Sequence, residues 1–125
     1  MNRKVVNMTL NRAHKQLMKK LGSEFSLKIE ECDDGIPAVE AVKASGNSIG
    51  IVLMDNIMKK QNGPAAARAM RASGYSGVIV GVTGNVLDSD IREFKDAGAD
   101  HVLAKPLDEA ELVMIVRKVL VNMQA

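Results

Sequence analysis

Three short apolar runs, each ending abruptly in one reactive group, constrain the fold more than any other feature of this chain. Ile51-Val52-Leu53-Met54 runs into Asp55, Val78-Ile79-Val80-Gly81-Val82 into Thr83, and Val102-Leu103-Ala104 into Lys105 and Pro106. Short, partly β-branched apolar runs of this kind suit strands buried on both faces of a parallel sheet. In open α/β sheets ligands bind in the crevice beyond the carboxyl ends of the strands. A carboxylate, a hydroxyl and an ammonium at three such ends can therefore converge on one small site. Singly, each is ordinary: aspartate and threonine are common turn residues after a strand, and a lone lysine is a surface residue. Three in succession point to a site.

Helical segments alternate with these runs. Val6, Leu10, Ala13, Leu17 and Leu21, with Val5 and Met18 widening the stripe, predict an amphipathic helix from Asn2 to Leu21, ended by Gly22. Arg3, Lys4, Arg12, Lys15, Lys19 and Lys20 then cover its outer face, as a solvated surface or a docking surface for an acidic partner. Leu27 to Cys32 reads as a strand closed by Asp33-Asp34-Gly35, and Ile36 to Ala44 as a helix. After Asp55 comes a polar loop, Asn56 to Gly63, and then an alanine-rich helix to about Ser73. Gly63-Pro64 marks its start, because proline at the first helical position loses only an N–H that had no partner. Leu87 to Ala97 and Asp108 to Val121 complete the helices, the last with a capping-box pattern in Asp108 and Glu111. Four strands are visible. The alternation predicts an α/β parallel sheet covered by helices on both faces.

The length of 125 residues suits one domain spanning 1–125. With 46% hydrophobic and 26% charged residues the chain has the composition of a globular protein. No apolar run is long enough to cross a bilayer and the start does not look like a signal peptide, so a cytoplasmic location is expected, with no membrane partner. Cys32, the single cysteine, predicts neither a disulfide nor a metal cluster. A net charge of only +2 and 2% aromatic residues give no support for nucleic-acid binding. No glycine-rich phosphate loop follows any strand, which argues against a nucleotide-binding enzyme.

Leu53-Met54-Asp55 with Met58 and Gly63, Val82-Thr83-Gly84-Asn85, Gly98-Ala99-Asp100 and Leu103-Ala104-Lys105-Pro106-Leu107 together resemble the receiver domain of two-component response regulators, especially those of hybrid histidine kinases. The resemblance covers essentially the whole chain. It implies a flavodoxin-like fold with strand order 2-1-3-4-5. Asp55 would be the phosphoacceptor, taking a phosphoryl group from a phosphohistidine of a histidine kinase or histidine-phosphotransfer protein. Thr83 would contact that group through its hydroxyl and Lys105 would be its cationic partner, with the Lys105-Pro106 peptide cis. The chemistry is consistent: a carboxylate attacking phosphorus needs in-line placement and neutralisation of the phosphoryl oxygens.

The chain departs from that family at its start. Receivers open with an apolar strand ending in an acidic pair that binds magnesium, whereas here the first residues read as helix. The expectation is that the first strand and its acidic pair are both missing, leaving a gap in the middle of the sheet. Direct pairing of Leu27 to Cys32 with Ile51 to Met54, or pairing lent by a second copy or a strand-donating partner, would fill it. Magnesium, with only Asp55 and the carbonyl of Ile57 as carried-over ligands, would be weakly held or lost. Asp33 and Asp34 are candidate substitutes if the strands on either side of the gap pair. Lys59-Lys60 adds cations near the site, and Val102 stands where many receivers have a switching aromatic, with His101 one place off. Three readings result: a phosphoacceptor receiver of a phosphorelay, a phosphorylation-deficient pseudo-receiver that acts as a protein-binding module, or a strand-deleted variant that oligomerises by borrowing pairing from another copy or a partner.

Overall fold

A computed structural model of the chain describes residues 3–7, 12–25, 27–31, 35–45, 49–55, 62–84, 87–105 and 107–124. Five strands alternate with five helices: β1 (Arg3–Asn7), α1 (Arg12–Glu24), β2 (Leu27–Glu31), α2 (Gly35–Ser45), β3 (Ile49–Asp55), α3 (Gly63–Ala72), β4 (Val78–Thr83), α4 (Asp88–Asp96), β5 (His101–Ala104) and α5 (Glu109–Gln124). All pairings are parallel, in the order β2-β1-β3-β4-β5. This is the doubly wound, flavodoxin-like order.

The expected gap does not exist. Residues 3–7 are not the start of a helix but the central strand, with Val5 level with Ile29 on β2 and Ile51 on β3. The helix begins only at Arg12. The misreading has a physical cause: the spacing Val6, Leu10, Ala13, Leu17 keeps a helical rhythm straight through the end of the strand, and no glycine or proline interrupts it. Asn7, Thr9 and Asn11 are a weaker, opposing signal, residues that favour turns and caps over helix interiors. With β1 in place, direct pairing of β2 with β3 is excluded. So is the need for a strand lent by a second chain.

Two apolar layers sandwich the sheet. On one face Leu21 of α1 and Leu112, Ile115, Val116 and Val119 of α5 pack on Ile51, Leu53, Val80, Val82 and Leu103. On the other, Ala38, Val39 and Val42 of α2, Ala66, Ala67 and Met70 of α3, and Phe94 of α4 pack on Val52, Met54 and Ile79. Alternation along β3 breaks once, because Ile49 joins the α2–α4 layer although Ile51 faces the other way. The register explains it: Lys4 lies opposite Ile49 but Val5 opposite Ile51, so Gly50 is the extra residue of a bulge.

The helix boundaries follow local chemistry. Asn62 caps α3, its Oδ1 accepting from Ala65 N at 2.8 Å, with Pro64 in the first turn as expected. Asp108 does the same for α5, its Oδ1 accepting from Ala110 N at 2.8 Å. No helix among the described residues is long and apolar enough to cross a membrane.

Candidate functional site

The sheet carries the three reactive groups to one end, as the sequence pattern predicts. Asp55 is the last residue of β3 and lies level with Val82 on β4. Thr83 comes one residue later and is the last of β4, 1% exposed and the one buried polar residue among those described. Level with Thr83 on β5 is Ala104, and Lys105 follows it directly. Lys105 N donates to Thr83 O at 2.9 Å, so the backbone hydrogen bonding of β4 and β5 continues past the strand ends and ties the two residues together.

Gly84 sits beside the lysine stem: a Cβ added there would meet Lys105 Cδ at 3.8 Å. Asp55 and Lys105 are two strands apart, about 10 Å across the sheet, with Thr83 on the strand between them. The arrangement offers a carboxylate at the end of β3, a hydroxyl one strand away and an ammonium two strands away. A carboxylate, a hydroxyl and an ammonium are the groups that phosphoryl transfer to a carboxylate calls for.

Several sequence expectations fall outside the described residues: Ile57, Met58, Lys59, Lys60, Asp33, Asp34, Asn85, Cys32 and the Lys105-Pro106 peptide. Val102 is partly buried and packs against the layer that contains Phe94, so an aliphatic side chain occupies that position on β5.

The acidic pair is absent even though its strand is present. β1 reaches the end of the sheet with Asn7 level with Leu53, two residues before Asp55, and the chain continues into Met8. No Asp or Glu occurs before Glu24. Magnesium selects hard oxygen donors in near-octahedral geometry, and an amide followed by a thioether residue replaces two carboxylates where such a site would be built. Among the described residues no group of three or more His, Cys, Asp or Glu is placed to hold a metal. Two carboxylates are thus missing from the donor set that the resemblance implies for magnesium. The rescue by Asp33 and Asp34 also loses its premise, because β1 separates β2 from β3 by two strand spacings.

Comparison with known proteins agrees with the geometry. The chain is 33% identical over 113 residues to two-component response regulator 24 of Arabidopsis thaliana, covering 90% of this chain and 76% of that protein. It is 34% identical over 90 residues to two-component response regulator ORR41 of Oryza sativa, covering 72% of this chain and 71% of the relative. Against the autoinducer 2 sensor kinase/phosphatase LuxQ of Vibrio vulnificus it is 31% identical over 110 residues, 87% of this chain but 13% of that protein.

Among solved structures, the receiver domain of a Pseudomonas aeruginosa sensor histidine kinase, crystallised with magnesium in its active-site cleft, superimposes with a TM-score of 0.80 at 24% identity. That match covers 94% of this chain and 97% of the other. The receiver domain of Ssk1 from Saccharomyces cerevisiae, solved with the histidine-phosphotransfer protein Ypd1, gives a TM-score of 0.77 at 18% identity, covering 94% and 86% of the two chains. The family model for the response regulator receiver domain matches residues 9–117. A parallel sheet in the order 2-1-3-4-5, an aspartate, a threonine and a lysine at three successive strand ends, and this match together establish that the chain belongs to the response regulator receiver domain family.

Proposed function

We propose that this receiver domain is a phosphoacceptor of a two-component phosphorelay, in which Asp55 takes a phosphoryl group from the phosphohistidine of a histidine kinase or histidine-phosphotransfer protein. The placement of Asp55, Thr83 and Lys105 at adjacent strand ends carries this reading. An Asp55 carboxylate oxygen attacks phosphorus, the P–N bond to the imidazole breaks, and the imidazole leaves with the bonding pair. Lys105 balances charge on the phosphoryl oxygens and the Thr83 hydroxyl donates to one of them. The Ypd1–Ssk1 complex supports a phosphotransfer partner, and the LuxQ match supports an origin within a hybrid kinase. Magnesium, where receivers of ordinary sequence use it, is held weakly or not at all.

The Asn7-Met8 sequence favours a second reading, a pseudo-receiver that keeps the fold and its protein contacts without phosphorylation. Intact mass after incubation with a small phosphodonor, with and without magnesium and beside Asp55→Asn, separates the two. An adduct of one phosphoryl group that disappears in Asp55→Asn is expected. Folded native protein that gains no mass under either condition would establish the binding module instead.

A further inference from the structure

The ionised groups at the Asp55 end of the sheet are few, and they cancel. β1, β3 and β4 end on Asn7, Asp55 and Thr83, and Lys105 follows β5 directly. Among these four residues there is one carboxylate and one ammonium, and Met8, next in the chain after Asn7, is uncharged. No Asp or Glu precedes Glu24, so neither β1 nor the segment that joins it to α1 carries an acid. β2 does end on one, but Glu31 is level with Asn7, two strands and two residues from Asp55, which is about 12 Å between Cα atoms.

The sheet leads to these groups through surroundings that screen charge poorly. Ile51, Val52, Leu53 and Met54, which run up to Asp55, are all buried, and Thr83 is 1% exposed. An uncompensated charge near such a low-dielectric interior is felt more strongly than in bulk water. A phosphoryl group brings about two negative charges. Two further carboxylates at the end of β1 would leave the site strongly negative before that group arrives, and a divalent cation would be needed to offset them. Asn7 and Met8 take away the charge that such a cation would balance. Asp55 with Lys105 alone therefore has the same net charge as Asp55, Lys105, two carboxylates and one divalent cation together.

Resting on the reading of Asp55 as a phosphoacceptor, we propose that its phosphorylation needs no divalent cation, because Asn7 and Met8 remove the two negative charges that a cation would offset. An Asp55 oxygen bonds to phosphorus as the P–N bond of the donor breaks, and the nitrogen leaves with the bonding pair. Lys105 supplies the positive charge among the strand ends. The response of the domain is then set by its phosphodonor and is indifferent to free magnesium.

The test is a time course of intact mass with phosphoramidate, whose P–N bond breaks with release of ammonia, run once in EDTA and once in excess magnesium. Native protein should gain one phosphoryl group at rates that agree within about threefold in the two conditions, and Asp55→Asn should gain none. Asn7→Asp with Met8→Asp puts two carboxylates back and should make the reaction depend on the metal. In EDTA it should run about a hundredfold or more below native, and magnesium should return about tenfold or more of that loss. Asn7→Asp alone should fall between the two and carries the test if the double variant does not fold, which circular dichroism reports. A native rate that magnesium raises by more than about threefold would overturn the proposal and leave Asp55 a phosphoacceptor. Folded native protein with no adduct in either condition would overturn the phosphoacceptor reading and the proposal together. Folded acidic variants as fast as native in EDTA would overturn the proposal alone, since the charges on β1 would then not set the need for a cation.

Discussion

At the scale of single residues, Arg71 organises the end of the sheet opposite Asp55. All five guanidinium N–H groups are used. Nε and Nη2 donate to Gly98 O at 3.1 and 2.8 Å, and Nη1 donates to Tyr75 O and Gly77 O at 2.9 and 2.8 Å. Nη2 also bonds Asp100 Oδ2 at 2.9 Å, and that oxygen accepts from Ile79 N at the same distance. Gly98 has φ +114° and gives the Arg71 stem room, since a Cβ there would lie 2.7 Å from Cγ. Arg71→Ala takes the guanidinium donors from three carbonyls and the ion-pair partner from Asp100, and should cost about 2–4 kcal/mol in urea denaturation. Arg71→Lys should recover only a small part, because an ammonium cannot reproduce the fork. Tyr75 lies under the guanidinium, 5.6 Å from its ring centroid, and its buried hydroxyl donates to Ile49 O at 2.9 Å. Burial raises its pKa well above the ordinary tyrosine range, with Arg71 opposing the shift and Asp100 adding to it. The folded state therefore holds the phenolic proton more tightly than the unfolded chain does. Stability from this group is intact below about pH 10 and falls by about 1.4 kcal/mol per pH unit above it. As Tyr75 is the single tyrosine and there is no tryptophan, absorbance at 295 nm should show its ionisation coinciding with unfolding.

At the scale of elements, β4 and α4 fit through one missing side chain. A Cβ at Gly81 would lie 2.8 Å from the fully buried Phe94 ring, so Gly81→Ala should destabilise by about 1–3 kcal/mol through overpacking. Adding Phe94→Leu should return part of that loss in thermal melts. Elements of this kind show where the sequence was legible. β3 and β4 announce themselves because strands buried on both faces stay apolar up to the polar residue that ends them, and the apolar part of β5 runs to Ala104, just before Lys105. α3 is marked by Asn62, Gly63 and Pro64, whose cap chemistry acts within a single turn. β1 was not legible, since only Val5 and Val6 are apolar and their identity as a strand rests on pairing with Ile29 and Ile51, residues far along the chain. The site followed the same rule. The positions of Asp55, Thr83 and Lys105 in the sheet follow from the strand ends, whereas the acidic pair was expected to be missing together with its strand, and the strand is present.

At the scale of the whole molecule, β1 sets what the Asp55 end of the sheet can hold. Its backbone delivers residue 7 beside β3, so the position suits a metal ligand even though the residue there does not. Asn7→Asp with Met8→Asp should create a divalent-cation site, seen as manganese-induced broadening of the Asp55 and Thr83 amide signals that native protein does not show at the same concentration. Broadening of equal strength in the native chain would mean that other oxygens complete the coordination. The position of β1 has a second consequence, for synthesis. β1 needs two neighbours and is made before both of them, β2 at Leu27–Glu31 and β3 at Ile49–Asp55. For a few seconds at ordinary translation rates, on the order of 5–20 residues per second, β1 can be flanked on one side at most. An unpaired strand edge is a template for other chains, so β1 is open to wrong pairing until β3 has been made.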